Sequence, residues 1–211
     1  MSQPKNLLIV GTGNVGSALA KRFSKTDHVV HVGSRDAARG VEIAATFGAK
    51  GGAAADLVDT ADVVFLAVPF SQLDDVLARL GPMVGKIVVD CTNPLTDDYM
   101  ELTVGHSHSA GEECQSRLPD ARIVKAFNAM FADVVHAEPH YPGITPQIFC
   151  ASDDAEAKEA VGELVKAIGY EPVDVGPLRN ARYLEPLAGL IIQLAYVMGE
   201  GTHITPVIVR E

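Results

Sequence analysis

The run Leu7-Leu8-Ile9-Val10 is short, unbroken and apolar, and it stops at Gly11-Thr12-Gly13-Asn14-Val15-Gly16. Beyond it Val15, Leu19 and Phe23 recur every four residues, with Lys21 and Arg22 on the other side, which predicts an amphipathic helix. The alternation continues along the chain. Residues 28–33 read as a strand rich in valine, 36–47 as a helix, 49–51 as a short strand and 53–60 as a small alanine-rich helix. The segment 62–68 is almost wholly apolar and is stopped by Pro69, the signature of a strand buried on both faces of a parallel sheet. A helical face of Leu73, Val76, Leu77 and Leu80 follows, then a buried strand at 86–90 closed by Thr92-Asn93-Pro94. After a loop containing glycine and histidine, a capping box at Ser109 and Glu112 opens a helix to about residue 118. Strands at 122–127 and 147–151, an amphipathic helix at 152–168 and a last strand at 171–175 complete the series. Repeated strand–helix alternation with short links predicts a doubly wound α/β fold with a mostly parallel sheet.

The C-terminal segment breaks the pattern. Asn180 is placed to cap a helix whose body, 187–198, is apolar almost all round, Gln193 being the exception. A helix without a polar face is expected to be buried on all sides. A second subunit would supply that cover in a homodimer; folding back over the chain's own sheet and cleft is the other route.

The glycine pattern acquires meaning from its context, a strand before it and a helix after it. Gly11 is expected to make the tight turn, Gly13 to let backbone N–H groups approach a pyrophosphate, and Gly16 to pack the helix against the strand. The next strand ends in Ser34-Arg35-Asp36, about 20 residues beyond the glycines, where an NAD site would carry a carboxylate for the ribose 2′-hydroxyl. A hydroxyl and a guanidinium fork bind a 2′-phosphate instead, and Arg39 offers a second cation one turn later. NADP(H) is therefore the expected cofactor. Ser34 and Asp36 can also cap the following helix, a role compatible with phosphate binding.

Composition narrows the setting. The 211 residues are 47% hydrophobic and 21% charged, an ordinary globular balance, and the formal net charge of −10 disfavours nucleic acid and anionic membranes as partners. Three cysteines (Cys91, Cys114 and Cys150) are far apart and have no CxxC spacing. No signal-peptide pattern precedes the first strand, so a cytoplasmic setting is expected. The longest apolar run, 186–198, falls short of the roughly 20 residues that span a bilayer.

Six local sequences, taken in order, carry a family resemblance: Gly11-Thr12-Gly13-Asn14-Val15-Gly16, Val32-Gly33-Ser34-Arg35, Ala67-Val68-Pro69, Thr92-Asn93-Pro94-Leu95, Val124-Lys125-Ala126-Phe127-Asn128 and Ala181-Arg182-Tyr183-Leu184-Glu185. Together they resemble the coenzyme F420-dependent NADP reductases and their bacterial relatives, whose cofactor domain also occurs in the STEAP ferric reductases. The resemblance implies a Rossmann-like NADP-binding domain over 1–178 and a small helical extension over 179–211, packed on the same domain or on a second subunit. It also implies hydride transfer between NADPH and a deazaflavin (F420) or flavin-type acceptor. By position, Gly11, Thr12, Gly13, Asn14 and Val15 would hold the pyrophosphate, and Ser34, Arg35 and Arg39 the 2′-phosphate. Val68 and Pro69 would lie against the nicotinamide, while Asn93 and Asn128 would line the acceptor pocket or hold the carboxamide. Turn formation beside Pro94 and Phe127 is an equally good account of the two asparagines.

No acid–base or nucleophile constellation has convincing spacing. Lys125 sits at an expected strand end. His106 and His108 alternate in a loop with no third ligand at zinc-like spacing, and His136 and His140 fall in another proline-containing loop. Cofactor-to-cofactor hydride transfer needs alignment and exclusion of water more than a side-chain proton donor, so this absence favours it. Reduction of a small carbonyl or imine would want a positioned acid, and a non-catalytic NADPH-sensing protein would want a pocket closed to any acceptor.

Overall fold

The computed structural model describes residues 3–137 and 141–210. Its strands and helices are β1 (Asn6–Val10), α1 (Asn14–Phe23), β2 (Val29–Ser34), α2 (Ala37–Ala45), β3 (Lys50–Ala53), α3 (Ala54–Leu57), β4 (Val63–Leu66), α4 (Leu73–Leu80), β5 (Ile87–Asp90) and α5 (Ala110–Arg117). There follow β6 (Arg122–Lys125), α6 (Ala132–His136), β7 (Gln147–Cys150), α7 (Ala155–Ala167), β8 (Glu171–Asp174) and α8 (Ala181–Ile192), which runs into a π-helical turn over Gln193–Val197. Strands β1 to β6 form one parallel sheet in the order 3-2-1-4-5-6, the Rossmann arrangement, in which the order reverses between β1 and β4.

The near-continuous apolar strands are explained by helices on both faces. Leu7 and Ile9 point into a cluster with Leu19 and Phe23 of α1 and Val161 and Leu164 of α7. Leu8 and Val10, one residue out of phase, point into a second cluster with Leu73 and Leu77 of α4 and Cys114 of α5.

The structure departs from the sequence reading in specific places. β7 and β8 do not extend the main sheet: they form a separate two-stranded parallel ladder, tied to β6 by the antiparallel bridge between Lys125 and Ala151. Helix α6 falls in a stretch with no assigned helix, being only five residues long. Arg22 is not on a solvated face. It is buried, donates from Nη2 to the Ile168 carbonyl at 2.6 Å, and lies over the Tyr170 ring, 5.4 Å from its centroid.

The C-terminal helix is buried on one side only. Ala181, Leu184, Glu185, Ala188 and Ile191 face the protomer, with Leu184 packed on Phe149 and Val173 of the small ladder, whereas Tyr183, Leu190 and Met198 are exposed. Asn180 occupies the N-cap position without capping through its side chain; its amide donates to the Val175 carbonyl at 2.5 Å. Among the described residues no helix is long and apolar enough to cross a membrane.

Candidate active site

The turn after β1 is built by close backbone approach. Gly11 has φ +124°, and a Cβ there would stand 2.2 Å from the Ala67 carbonyl oxygen; one on Gly16 would stand 2.1 Å from the Gly11 oxygen. A side chain on Gly13, by contrast, would meet no protein atom within 4 Å, so the loop leaves open space at that point. Helix α1 starts there with no side-chain cap and no acidic residue in its first turn. Uncapped N–H groups with a positive dipole end suit a phosphate.

Two hollows flank this loop. The larger, about 610 Å³, is lined by Gly11, Thr12, Gly13, Ser34, Arg35, Arg39, Val68 and Pro69, so eight of the residues singled out in the sequence meet in one cleft. Asp36 caps α2 by accepting from the Ala38 N–H at 2.9 Å, and Ser34 Oγ accepts from the Asp36 N–H at 3.3 Å, which fixes the Ser34–Arg35 turn at the cleft edge. Arg39 is paired with Glu42 at 2.8 Å. The opposite wall comes from α4, where Arg79 forms a two-point pair with Asp75, its hydrogen bonds holding that carboxyl below the usual carboxylate range. Arg79 and Gln72 were not anticipated; their only sequence signal is a position on the α4 side that turns out to face the cleft.

The smaller hollow, about 190 Å³, begins at Asn14 and Val15 on the far side of the loop. Its walls mix apolar residues, among them Phe127, Met130, Phe131, Ile191 and Tyr196, with polar ones that include Asp133 and Thr202, and Tyr196 meets Phe131 edge-on with centroids 5.9 Å apart. Asn93 and Asn128 line it as a reciprocal pair: Asn93 Nδ2 donates to the Asn128 carbonyl at 2.8 Å and Asn128 Nδ2 donates to Asn93 Oδ1 at 3.0 Å. Phe127 precedes Asn128 in the left-handed region (φ +64°), a strained conformation for a bulky residue, worth about 1–3 kcal/mol. The turn role and the lining role of Asn128 therefore coincide.

Cys91 also lines this hollow, and burial, together with Asp90, pushes its thiol well above the ordinary range, which leaves it a poor nucleophile. Lys125 is fully buried beneath the hollow; burial opposes its charge, yet Asp90 and Glu185 outweigh that and raise its pKa. His108 pairs with Glu113 at 3.2 Å and with Ser107, the backbone carbonyl of His136 accepts from Lys21, and neither histidine lines either hollow. His140 lies outside the described residues.

The family model for coenzyme F420-dependent NADP oxidoreductases matches residues 6–94, which include every residue lining the larger cleft. An F420-dependent NADP reductase from Methanothermobacter thermautotrophicus is 32% identical over 210 residues, covering 90% of this chain and 88% of that protein. The chain belongs to the F420-dependent NADP oxidoreductase family. A crystal structure from Arthrobacter sp. FB24, described as a candidate F420-dependent NADP reductase, shares the fold over 98% of this chain at a TM-score of 0.89 and 28% identity. The metalloreductase STEAP3 of Rattus norvegicus is 30% identical over 179 residues, but the chain spans only 35% of that protein's length. A reductive aminase from Aspergillus terreus, solved with NADPH, has a TM-score of 0.67 at 20% identity, a likeness of fold alone. Within this oxidoreductase family the 6–94 match stops short of residues 127–133 and of α8, which supply much of the wall of the smaller hollow.

Proposed function

We propose that the protein transfers hydride between NADP(H), held in the larger cleft, and a deazaflavin or flavin-type acceptor seated in the smaller hollow. The observation that carries this reading is the second hollow itself, opening where the glycine loop ends: aromatic and aliphatic residues, three side-chain amides (Asn14, Asn93 and Asn128), an Asp133 carboxylate engaged by the Thr202 hydroxyl, and no available nucleophile. The names of the full-length relatives support F420 as the acceptor. In this reading Gly11, Thr12 and Gly13 admit the pyrophosphate, and the start of α1 at Asn14 and Val15 faces its charge. Ser34, Arg35 and Arg39 take the 2′-phosphate, and Val68 and Pro69 form an apolar wall beside the ribose and nicotinamide. Bound NADPH supplies the hydride. Asn93 and Asn128 orient polar edges by hydrogen bonding, while Phe131, Ile191 and Tyr196 exclude water from the transfer path. No side chain is required to move a proton at carbon. The test is oxidation of NADPH followed at the nicotinamide absorbance with F420, FMN, FAD and riboflavin in turn; rapid turnover with F420 supports the reading, and tight NADPH binding without turnover by any of them defeats it.

A further inference from the structure

Beneath the acceptor-side hollow lies a buried ionic cluster with no place in hydride chemistry. Lys125 Nζ contacts Asp90 Oδ2 at 2.9 Å, Glu185 Oε1 at 2.9 Å and the Thr92 carbonyl at 2.6 Å, and all three charged side chains are 0–1% exposed. Glu185 additionally accepts from the backbone N–H groups of Ala110 and Gly111 at 3.0 and 3.1 Å, so its charge faces the positive end of α5. Asp90 uses its other oxygen to accept from the Thr92 N–H at 2.9 Å. Four separate pieces of chain, the ends of β5 and β6 and the starts of α5 and α8, are thus joined at one ammonium group.

Three of the four joined pieces, the ends of β5 and β6 and the start of α8, deliver neighbours to the hollow or to its asparagine pair. Asn93 follows Thr92, Asn128 lies three residues beyond Lys125, and Leu184, adjacent to Glu185, accepts from Asn128 Nδ2 at 3.0 Å. Ala188 and Ile191, one and two turns along α8 from Glu185, complete the wall. Gly111 permits the approach: a Cβ there would stand 3.3 Å from the Ala181 Cβ and 3.5 Å from the Lys125 Cδ. Replacing a buried ion pair by well-packed apolar residues is often neutral or stabilising, so stability alone does not account for such a cluster.

We propose that Lys125, with Asp90 and Glu185, is a positioning cluster that sets the acceptor-side hollow by holding α8 in register with the Asn93–Asn128 pair, and that it leaves the NADP(H) cleft untouched. The acceptor part of this inference rests on the proposed function. The cluster acts only through these neighbours, since no atom of Lys125 lines either hollow.

The experiment compares Glu185→Gln with wild type by hydrogen–deuterium exchange, NADPH titration and turnover with F420. Amides in 91–94, 127–131 and 184–196 are expected to exchange at least tenfold faster, with β1 and β2 unchanged. NADPH affinity is expected to stay within twofold while kcat/KM for F420 falls at least tenfold. Gly111→Ala is the second variant: it keeps every charge, favours helix, and presses α5 against Ala181, so a smaller change in the same segments is expected. Uniformly faster exchange, no regional change, or equal loss of NADPH affinity would overturn the proposal. If Glu185→Gln does not fold, an unaltered exchange pattern in Gly111→Ala overturns it alone. Failure of wild type with F420 would remove the functional reading and leave the exchange result to decide the positioning claim.

Discussion

Arg35 is the residue on which the choice of cofactor turns, and the structure allows its contribution to be sized. Three arginines line the larger cleft, but they are not equivalent. Arg39 is held by Glu42 and Arg79 by both oxygens of Asp75, whereas Arg35 makes no ion pair with any carboxylate among the described residues. A hydrogen bond to a charged group contributes about 1.5–3 kcal/mol. Arg35 is solvent-exposed at the cleft edge, so screening places its contact at the lower end. Arg35→Ala is therefore expected to weaken NADPH binding by about 10- to 30-fold, since 1.4 kcal/mol is tenfold. NADH, which lacks the 2′-phosphate, should lose less than about threefold on the same basis. Arg39→Ala should cost NADPH less than Arg35→Ala, because Glu42 already competes for that guanidinium. Calorimetric titration with both cofactors at low and high salt checks this, the NADPH difference shrinking as salt rises. Equal losses for NADPH and NADH would refute the assignment of the 2′-phosphate to Arg35.

Other outcomes follow from particular contacts. Gly16→Ala places a methyl 2.1 Å from the Gly11 oxygen, and should cost about 1–3 kcal/mol of stability with at least a tenfold loss of NADPH affinity, read by thermal melting and titration. Asp154 is held to about 2 by the Arg122 guanidinium and the Ala157 N–H, against 3.8 for a free carboxyl. Its lowered value means the stabilisation is full above pH 4 and lost as pH falls toward 2, so the melting temperature should drop across that window and Arg122→Gln should flatten the drop. Tyr183, Leu190, Leu194 and Met198 line the outer side of the C-terminal helix, and we propose that a second copy covers them. Sedimentation velocity should find a dimer that Leu190→Glu converts to monomer, and a wild-type monomer would count against the assignment.

How much of this was legible depended on the range over which the determining contacts act. The β1–glycine loop–α1 unit is largely local: a strand period, the close approach of Gly16 to the Gly11 carbonyl and a helical period occur within 18 residues, and the Ser34–Arg35 turn follows from the next strand end. The Lys125–Glu185 contact joins positions 60 apart, and nothing in the pattern around either marks its partner. Arg22 reads as a surface residue by helical spacing because its acceptor, the Ile168 carbonyl, is 146 positions away. The outer face of α8 was left open for another reason. An all-apolar helix implies burial, yet one protomer covers only one side, and the sequence does not say what covers the other. Asn93 and Asn128 were recognisable as candidates, but their mutual pairing depends on the parallel register of β5 and β6.

If the two adjoining hollows bring a nicotinamide and a planar acceptor together, single-turnover mixing reads the transfer between them. Enzyme saturated with NADPH is mixed rapidly with oxidised F420 while both chromophores are followed. Loss of nicotinamide absorbance is expected to be matched one for one by F420 reduction, with a primary isotope effect when the transferred hydrogen is deuterium. Tight NADPH binding with no F420 reduction, under conditions in which the protein is folded, would contradict that arrangement.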